Sequence, residues 1–157
     1  MIIRDSSRIK GKEVLIDTNL LVYSSNTVST KNKIAVEFRE LAVNNFFVPV
    51  VAHQNILEMI RVLTHSKYEK PYTLKKALEQ SENFENLCRV IYPDSGTLKI
   101  AKAFAIKYKI NSNIIFDCYL VATMLSNDIK IIATDNVKDM GIFEEINVYN
   151  PYHLNQL

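Results

Sequence analysis

Four acidic residues stand where chemistry rather than solubility accounts for them. Asp17 follows an apolar run directly in Leu15-Ile16-Asp17-Thr18-Asn19, and Asp135 follows another in Ile131-Ile132-Ala133-Thr134-Asp135-Asn136. Each also suits a helix cap or an Asx-turn. Glu58 lies in Asn55-Ile56-Leu57-Glu58-Met59-Ile60-Arg61-Val62-Leu63, flanked by apolar residues and three positions before Arg61, a spacing that also permits a weak ion pair on a helix. Asp117 is embedded in Ile114-Ile115-Phe116-Asp117-Cys118-Tyr119-Leu120-Val121-Ala122, too apolar for a solvated face, where it is expected either to cap a helix or to meet a cation. Brought into one pocket, four carboxylates repel one another severely unless a divalent cation joins them. With that cation they become a site that clamps phosphate oxygens and activates water.

The other ligand chemistries are thinly represented. His53, His65 and His153 are scattered, Cys88 and Cys118 are the only cysteines, and neither a CxxC pair nor an HExxH occurs. A Cys/His zinc site is therefore not expected, and oxygen ligands favour Mg²⁺ or Mn²⁺. Gly11, Gly96 and Gly141 are the only glycines and lie far apart, which removes Gly-rich phosphate loops of the Walker and dinucleotide-binding kinds. No Ser/His/Asp or Cys/His nucleophile set suggests itself, and Cys118 reads as a small buried hydrophobe.

The elements that must position the acids follow from hydrophobic periodicity. Strands are expected at 13–17, 46–48 (ended by Pro49), 90–92, 130–134 and 146–149. Helices are expected at 20–24, 30–44, 52–65, 73–88 with Thr73 as N-cap, 95–108 and 114–126. Ile34, Phe38, Leu41 and Ala42 should face inward on the second helix, and Ile56, Leu57, Ile60 and Leu63 on the third. Five short apolar strands separated by helices form the pattern of an α/β domain, a parallel sheet covered on both faces. Acids at the carboxyl ends of such strands fall where connections leave the sheet and ligands bind.

The 157 residues make one domain, 1–157, opening with a short polar arm at 1–12. Composition is that of a folded domain, 48% apolar and 23% charged, and the net charge of +2 lacks the excess of a sequence-specific DNA binder. No apolar run reaches the length of a membrane span and the amino terminus lacks a signal-peptide core, so a cytoplasmic protein with reduced cysteines is expected. Lys99, Lys102, Lys107 and Lys109, and Lys67, Lys70, Lys75 and Lys76 around Pro71, suit either a solvated surface or an RNA backbone. Tyr23, Tyr68, Tyr72 and Tyr108 are able to stack on bases but equally to rim the core.

In this order and spacing, Leu15-Ile16-Asp17-Thr18-Asn19, Asn55-x-x-Glu58-x-x-Arg61-Val62-Leu63, Asp117-x-x-Leu120-Val121-Ala122 and Ile132-Ala133-Thr134-Asp135-Asn136 resemble the PIN-domain nucleases, within them most nearly the VapC-like toxins of toxin–antitoxin pairs. The resemblance spans residues 13–149. It implies a PIN-like fold and a metal-dependent endoribonuclease in which Asp17, Glu58, Asp117 and Asp135 bind Mg²⁺ or Mn²⁺. A water activated by that metal would attack a phosphodiester of single-stranded RNA and leave 5′-phosphate and 3′-hydroxyl ends. Asn19, Thr134 and Asn136 match supporting polar positions, and Arg61 is the basic residue expected nearest the pocket. Where the family commonly has phenylalanine beyond the last acid, this chain has Met140. A cognate antitoxin and a homodimer are implied as partners. An RNA-processing PIN nuclease without toxin role is the alternative, and a non-catalytic PIN-like module fits the complete acidic set poorly. A haloacid-dehalogenase phosphatase needs a second Asp two positions after the first, and position 19 is Asn.

Overall fold

Strands whose alternate residues must both be buried need helices on each face, and the chain supplies them in alternation. The computed structural model describes residues 5–152; residues 1–4 of the arm, and His153 with the residues after it, lie outside that range. After a 3-10 turn at Ser6–Arg8 come β1 (Glu13–Ile16), α1 (Thr18–Ser25), α2 (Asn32–Val43), β2 (Val48–Ala52), α3 (His53–Thr64), α4 (Leu74–Leu87), β3 (Arg89–Ile91), α5 (Thr97–Lys107), α6 (Ile114–Ser126), β4 (Ile131–Ala133), α7 (Val137–Met140) and β5 (Asn147–Tyr149). All strand pairs are parallel, in the order β3-β2-β1-β4-β5. This is the α/β architecture expected from the sequence, with its five strands.

Side-chain alternation divides the core into two layers. Val14 and Ile16 of β1 point into a cluster with Leu20, Phe38, Met59, Leu63 and Phe84, contributed by α1 to α4. Leu15, between them, joins Cys118, Val121, Met124, Ile132, Met140 and Phe143 on the other face. The arm ahead of β1 also reaches the core, where Ile9 is fully buried. Among the described residues no helix is long and apolar enough to cross a membrane.

Three local expectations change. Pro49 does not end β2 but lies inside it, paired in register with Val14. Val48 donates its N–H to Lys12 on the β1 side, so the missing N–H of Pro49 faces the β3 side, where pairing begins only one residue later, at Val50 with Arg89. On α3 Ile56, Met59 and Leu63 are buried and Ile60 packs partly buried against the same cluster, whereas Leu57 is 57% exposed. Finally α7, too short for periodicity to register, was not expected.

Candidate active site

The sheet order places the topological switch between β1 and β4, since the chain adds strands to one side of β1 and then to the other. That crevice at the carboxyl ends is where open α/β sheets bind ligands. The Asp17 N–H continues the β1–β4 ladder by donating to Ala133 O at 3.0 Å, which carries the acid out of the sheet and into the crevice. Its side chain then caps α1, accepting from Thr18 N at 2.7 Å. The cap reading and the functional reading of Asp17 thus coincide in one geometry.

Asp17 is only 7% exposed, and its carboxylate is surrounded by donors. Oδ2 accepts from Thr134 Oγ1 at 2.6 Å and Asn19 Nδ2 at 2.8 Å, while Asn55 Nδ2 lies 3.5 Å from Oδ1. Burial still outweighs these bonds and, with Glu58 nearby, holds its pKa above the ordinary carboxylate value. Thr134 and Asn19 both donate to the Asp17 carboxylate. Asn19 Nδ2 also donates to Thr134 Oγ1, and its Oδ1 receives the Asp135 N–H. Asn136 joins through its N–H, given to Thr134 Oγ1 at 2.9 Å.

Glu58 is tied to Asp17 through Thr18, whose hydroxyl serves the first carboxylate and whose N–H serves the second. Thr18 Oγ1 donates to Glu58 Oε2 at 3.0 Å and accepts from Asn55 Nδ2 at 3.2 Å, while Gln54 Nε2 donates to Glu58 Oε1 at 3.0 Å. Asn55 is fully buried, and its Oδ1 receives the Ala52 N–H at the start of α3. Thr18 and Asn55 were not singled out as site residues, although a polar Asn three positions before Glu58 on the buried side of a helix must have partners there. No ion pair with Arg61 is formed by Glu58 among the described residues. Arg61 is exposed, at the wall of an open cleft of about 620 Å³ lined also by Glu58, Asn113, Phe116, Asp117 and Asp139.

Asp117 is not the N-cap of its helix; that position belongs to Asn113, and Asp117 sits in the first turn of α6 facing the cleft. Desolvation, then the charges of Asp17, Asp139 and Glu58, push its pKa up to about 6. The third acid of the cleft is Asp139, not expected from sequence, carried by α7 and held by Asn136 Nδ2 at 3.0 Å. The signal was Asn136 followed three residues later by an acid, the spacing of a helix start, just before buried Met140. Asp135 is placed differently from the other three expected acids. Its carboxylate pairs with Lys31, whose ammonium lies 5.0 Å from the Tyr23 ring centre and 5.5 Å from that of Tyr152.

The lysine and tyrosine sets have local partners too. Lys107 pairs with Glu144 and Glu145, and the Tyr72 hydroxyl donates to Ser25 O. Among the described residues no three His, Cys, Asp or Glu side chains stand close enough to enclose a metal ion as they are. The donor chemistry nonetheless fits a hard divalent cation, which takes oxygen ligands and keeps several waters. Glu58, Asp117 and Asp139 line one open cleft, and around Asp117 the influences are burial and negative charge alone.

Solved structures share this arrangement of elements. VapBC2 from Rickettsia felis, bound to a DNA fragment from its promoter, superposes with a TM-score of 0.64 at 14% identity, covering 88% of this chain and 98% of that one. VapC20 of Mycobacterium tuberculosis, a sarcin-ricin loop cleaving toxin, gives 0.63 at 12% identity over 85% and 98% of the two chains. A toxin–antitoxin complex from Klebsiella pneumoniae gives 0.58 at 17% identity over 90% and 99%. No curated protein shows significant sequence similarity to the chain. The model of the PIN domain matches residues 14–140, from the first core strand to the helix that carries Asp139. With this match over most of its length, the chain belongs to the PIN domain family.

Proposed function

We propose that this PIN domain is a divalent-metal-dependent endoribonuclease and the toxin of a toxin–antitoxin pair. The observation that carries the reading is the convergence of Glu58, Asp117 and Asp139 in one cleft, over a buried Asp17 at the switch point of the sheet. Burial and the neighbouring acids hold the Asp117 pKa up, and a bound cation relieves that cost. A bound Mg²⁺ or Mn²⁺ supplies a Lewis acid for a phosphoryl oxygen and lowers the pKa of water. Asp17, Glu58, Asp117 and Asp139 would hold it.

The side chains of this chain do the positioning. Thr18 fixes Glu58 against Asp17, so the two carboxylates move as one unit, and Thr134 with Asn19 fixes the second oxygen of Asp17. Asp117, raised to about 6 by burial and by neighbouring acids, faces the open cleft, where a cation would neutralise it. Arg61 presents a guanidinium at the wall of the cleft, suited to a phosphate oxygen. Asp135 contributes by holding the turn after β4 to Lys31 rather than by facing the cleft.

RNA as substrate, and an antitoxin as partner, draw support from fold neighbours described as a sarcin-ricin loop cleaving toxin and as a toxin–antitoxin complex. The test is induced expression of wild type beside Asp17→Ala, with cleaved RNAs mapped, and purified protein assayed in Mg²⁺ and in EDTA. Growth arrest and cleavage that need both Asp17 and the metal are the expected result. Cleavage that survives excess EDTA overturns the metal; cleavage without growth arrest leaves an RNA-processing nuclease.

A further inference from the structure

We propose that the aromatic groove beside the acid cleft is a nucleobase shelf, on which the base adjoining the scissile phosphate stacks against Phe116. The inference rests on the reading of the chain as an RNA nuclease. A groove of about 360 Å³ runs alongside the cleft, walled by His53, Leu57, Phe116 and Tyr119. Glu58 and Phe116 line both cavities, so the two form one continuous site. Phe116 immediately precedes Asp117 on α6, and it is 58% exposed, as Leu57 is 57% exposed across the groove. Large apolar side chains grouped this way mark a binding surface.

One amide joins the groove to the acids. Gln54 Nε2 donates both to Glu58 Oε1 at 3.0 Å and to the Phe116 carbonyl at 3.2 Å, which fixes the spacing between shelf and carboxylate. The other end of that amide, Oε1, is enclosed without a hydrogen-bond partner among the described residues. A buried acceptor left unmade is costly, and this one belongs to a residue that lines the groove. His53, in the same wall, lies tilted against exposed Tyr92 with ring centres 5.4 Å apart.

These features select the occupant. A nucleotide joins a flat π face carrying N–H groups to a phosphodiester by covalent bonds, so one ligand uses the aromatic groove and the acid cleft together. An apolar peptide side chain would fill the groove but leave the adjacent cleft to solvent. The shelf would act in positioning, since stacking tolerates any base.

The experiment uses the full chain with Mg²⁺ and two 12-nucleotide single-stranded RNAs that span the mapped cleavage site. One carries every base; the other is abasic at the residue adjoining the mapped cleavage site. Stacking is worth enough that Phe116→Ala should lower kcat/KM about tenfold on the intact RNA, with melting temperature unchanged and Phe116→Trp restoring the rate. On the abasic RNA the wild type should already be about tenfold slower, and Phe116→Ala should add nothing. Wild-type rates for Phe116→Ala on intact RNA overturn the shelf and leave the nuclease standing, as does an equal loss on both RNAs. Unaltered cleavage with lost co-purification of a neighbouring-gene product assigns the groove to a protein instead. A wild type that cuts neither RNA removes the nuclease reading and the shelf with it.

Discussion

Asp94 and Asp117 stand at the starts of α5 and α6, two helices packed against each other, and their environments are opposite. Asp94 Oδ1 receives the Gly96 N–H at 2.8 Å and the Thr97 N–H at 2.9 Å, with the Thr97 hydroxyl at 3.1 Å. Those donors hold its pKa below the ordinary value. Asp117 has desolvation and three acids around it and rises to about 6. Both are aspartates near the positive end of a helix, where the macrodipole favours negative charge. The difference is what each faces: Asp94 closes a turn on its own backbone, whereas Asp117 faces a cleft that only something from outside neutralises. A helix-start carboxylate whose donors are satisfied locally is structural, and one left among other carboxylates is available for chemistry.

The sharpest way to break the comparison is to neutralise each acid and measure function. Asp117→Asn should remove a cation ligand and lower RNA cleavage about 100-fold or more, abolishing growth arrest. Glu58→Ala should do the same with the protein still folded. Asp94→Asn should leave cleavage at the wild-type rate. Equal activities of Asp94→Asn and Asp117→Asn in the mapped-cleavage assay would make both acids caps.

A smaller effect tests the connection between Asp17 and Glu58. Thr18→Val keeps the shape of the side chain but deletes the hydroxyl that donates to Glu58 and accepts from Asn55. Residues that orient ligands typically cost 10–100-fold in metal affinity or activity, so cleavage should fall about tenfold, with Thr18→Ser restoring most of it. The Mg²⁺ concentration for half-maximal rate should rise in the same variant. An unchanged Mg²⁺ requirement would show that Glu58 finds its place without Thr18.

What could be read in the sequence tracks how local the cause is. Asp17, Glu58 and Asp117 were legible because each interrupts an apolar run, and burying a charge among apolar residues demands a reason. Thr73 was legible as an N-cap, and its Oγ1 does accept the Lys76 N–H. Asp135 and Asp139 lie four residues apart after the same strand, and only three-dimensional placement shows that Lys31, 104 residues away, takes the first and leaves the second to the cleft. Pro49 within β2 was illegible for the same reason: its tolerance depends on where β3 begins. Leu57, expected to face inward, and Phe116, in a run read as too apolar for a solvated face, are both exposed where they border a groove.

Stability offers the next contrast. In EDTA at pH 7 the ionised Asp117 is held against desolvation and its neighbours, so Asp117→Asn should melt above wild type. A pKa near 6 against the ordinary 3.8 corresponds, after discounting for solvent screening, to about 1–2 kcal/mol, or roughly 3–6 °C. Added Mg²⁺ should reverse the order, since binding at 100 times the dissociation constant contributes about 2.7 kcal/mol to a protein that keeps all its ligands. Paired thermal melts check this; a wild type that is the more stable in EDTA and gains nothing from Mg²⁺ removes Asp117 from the metal site.

The smallest effect is the most discriminating, because it depends on sign. The raised pKa of Asp117 means that folding opposes its ionisation. The native state has no penalty below about pH 4, where the carboxyl is protonated folded and unfolded, and acquires the penalty as pH rises through the folded value near 6. The lowered pKa of Asp94 has the opposite consequence: its contribution is present above the unfolded value near 4 and is lost as pH falls through the folded value beneath it. In EDTA, Asp117→Asn should therefore melt above wild type at pH 7 and converge with it towards pH 4. Asp94→Asn should melt below wild type at pH 7, by about a degree or two for so exposed a group, and converge further into acid. Both differences vanish at low pH, but they arrive there from opposite sides. Melting curves of the three proteins from pH 3 to pH 8 measure it. If both variants lie on the same side of wild type at neutral pH, the two aspartates share one role and the distinction between a satisfied and an unsatisfied helix-start acid fails in this protein.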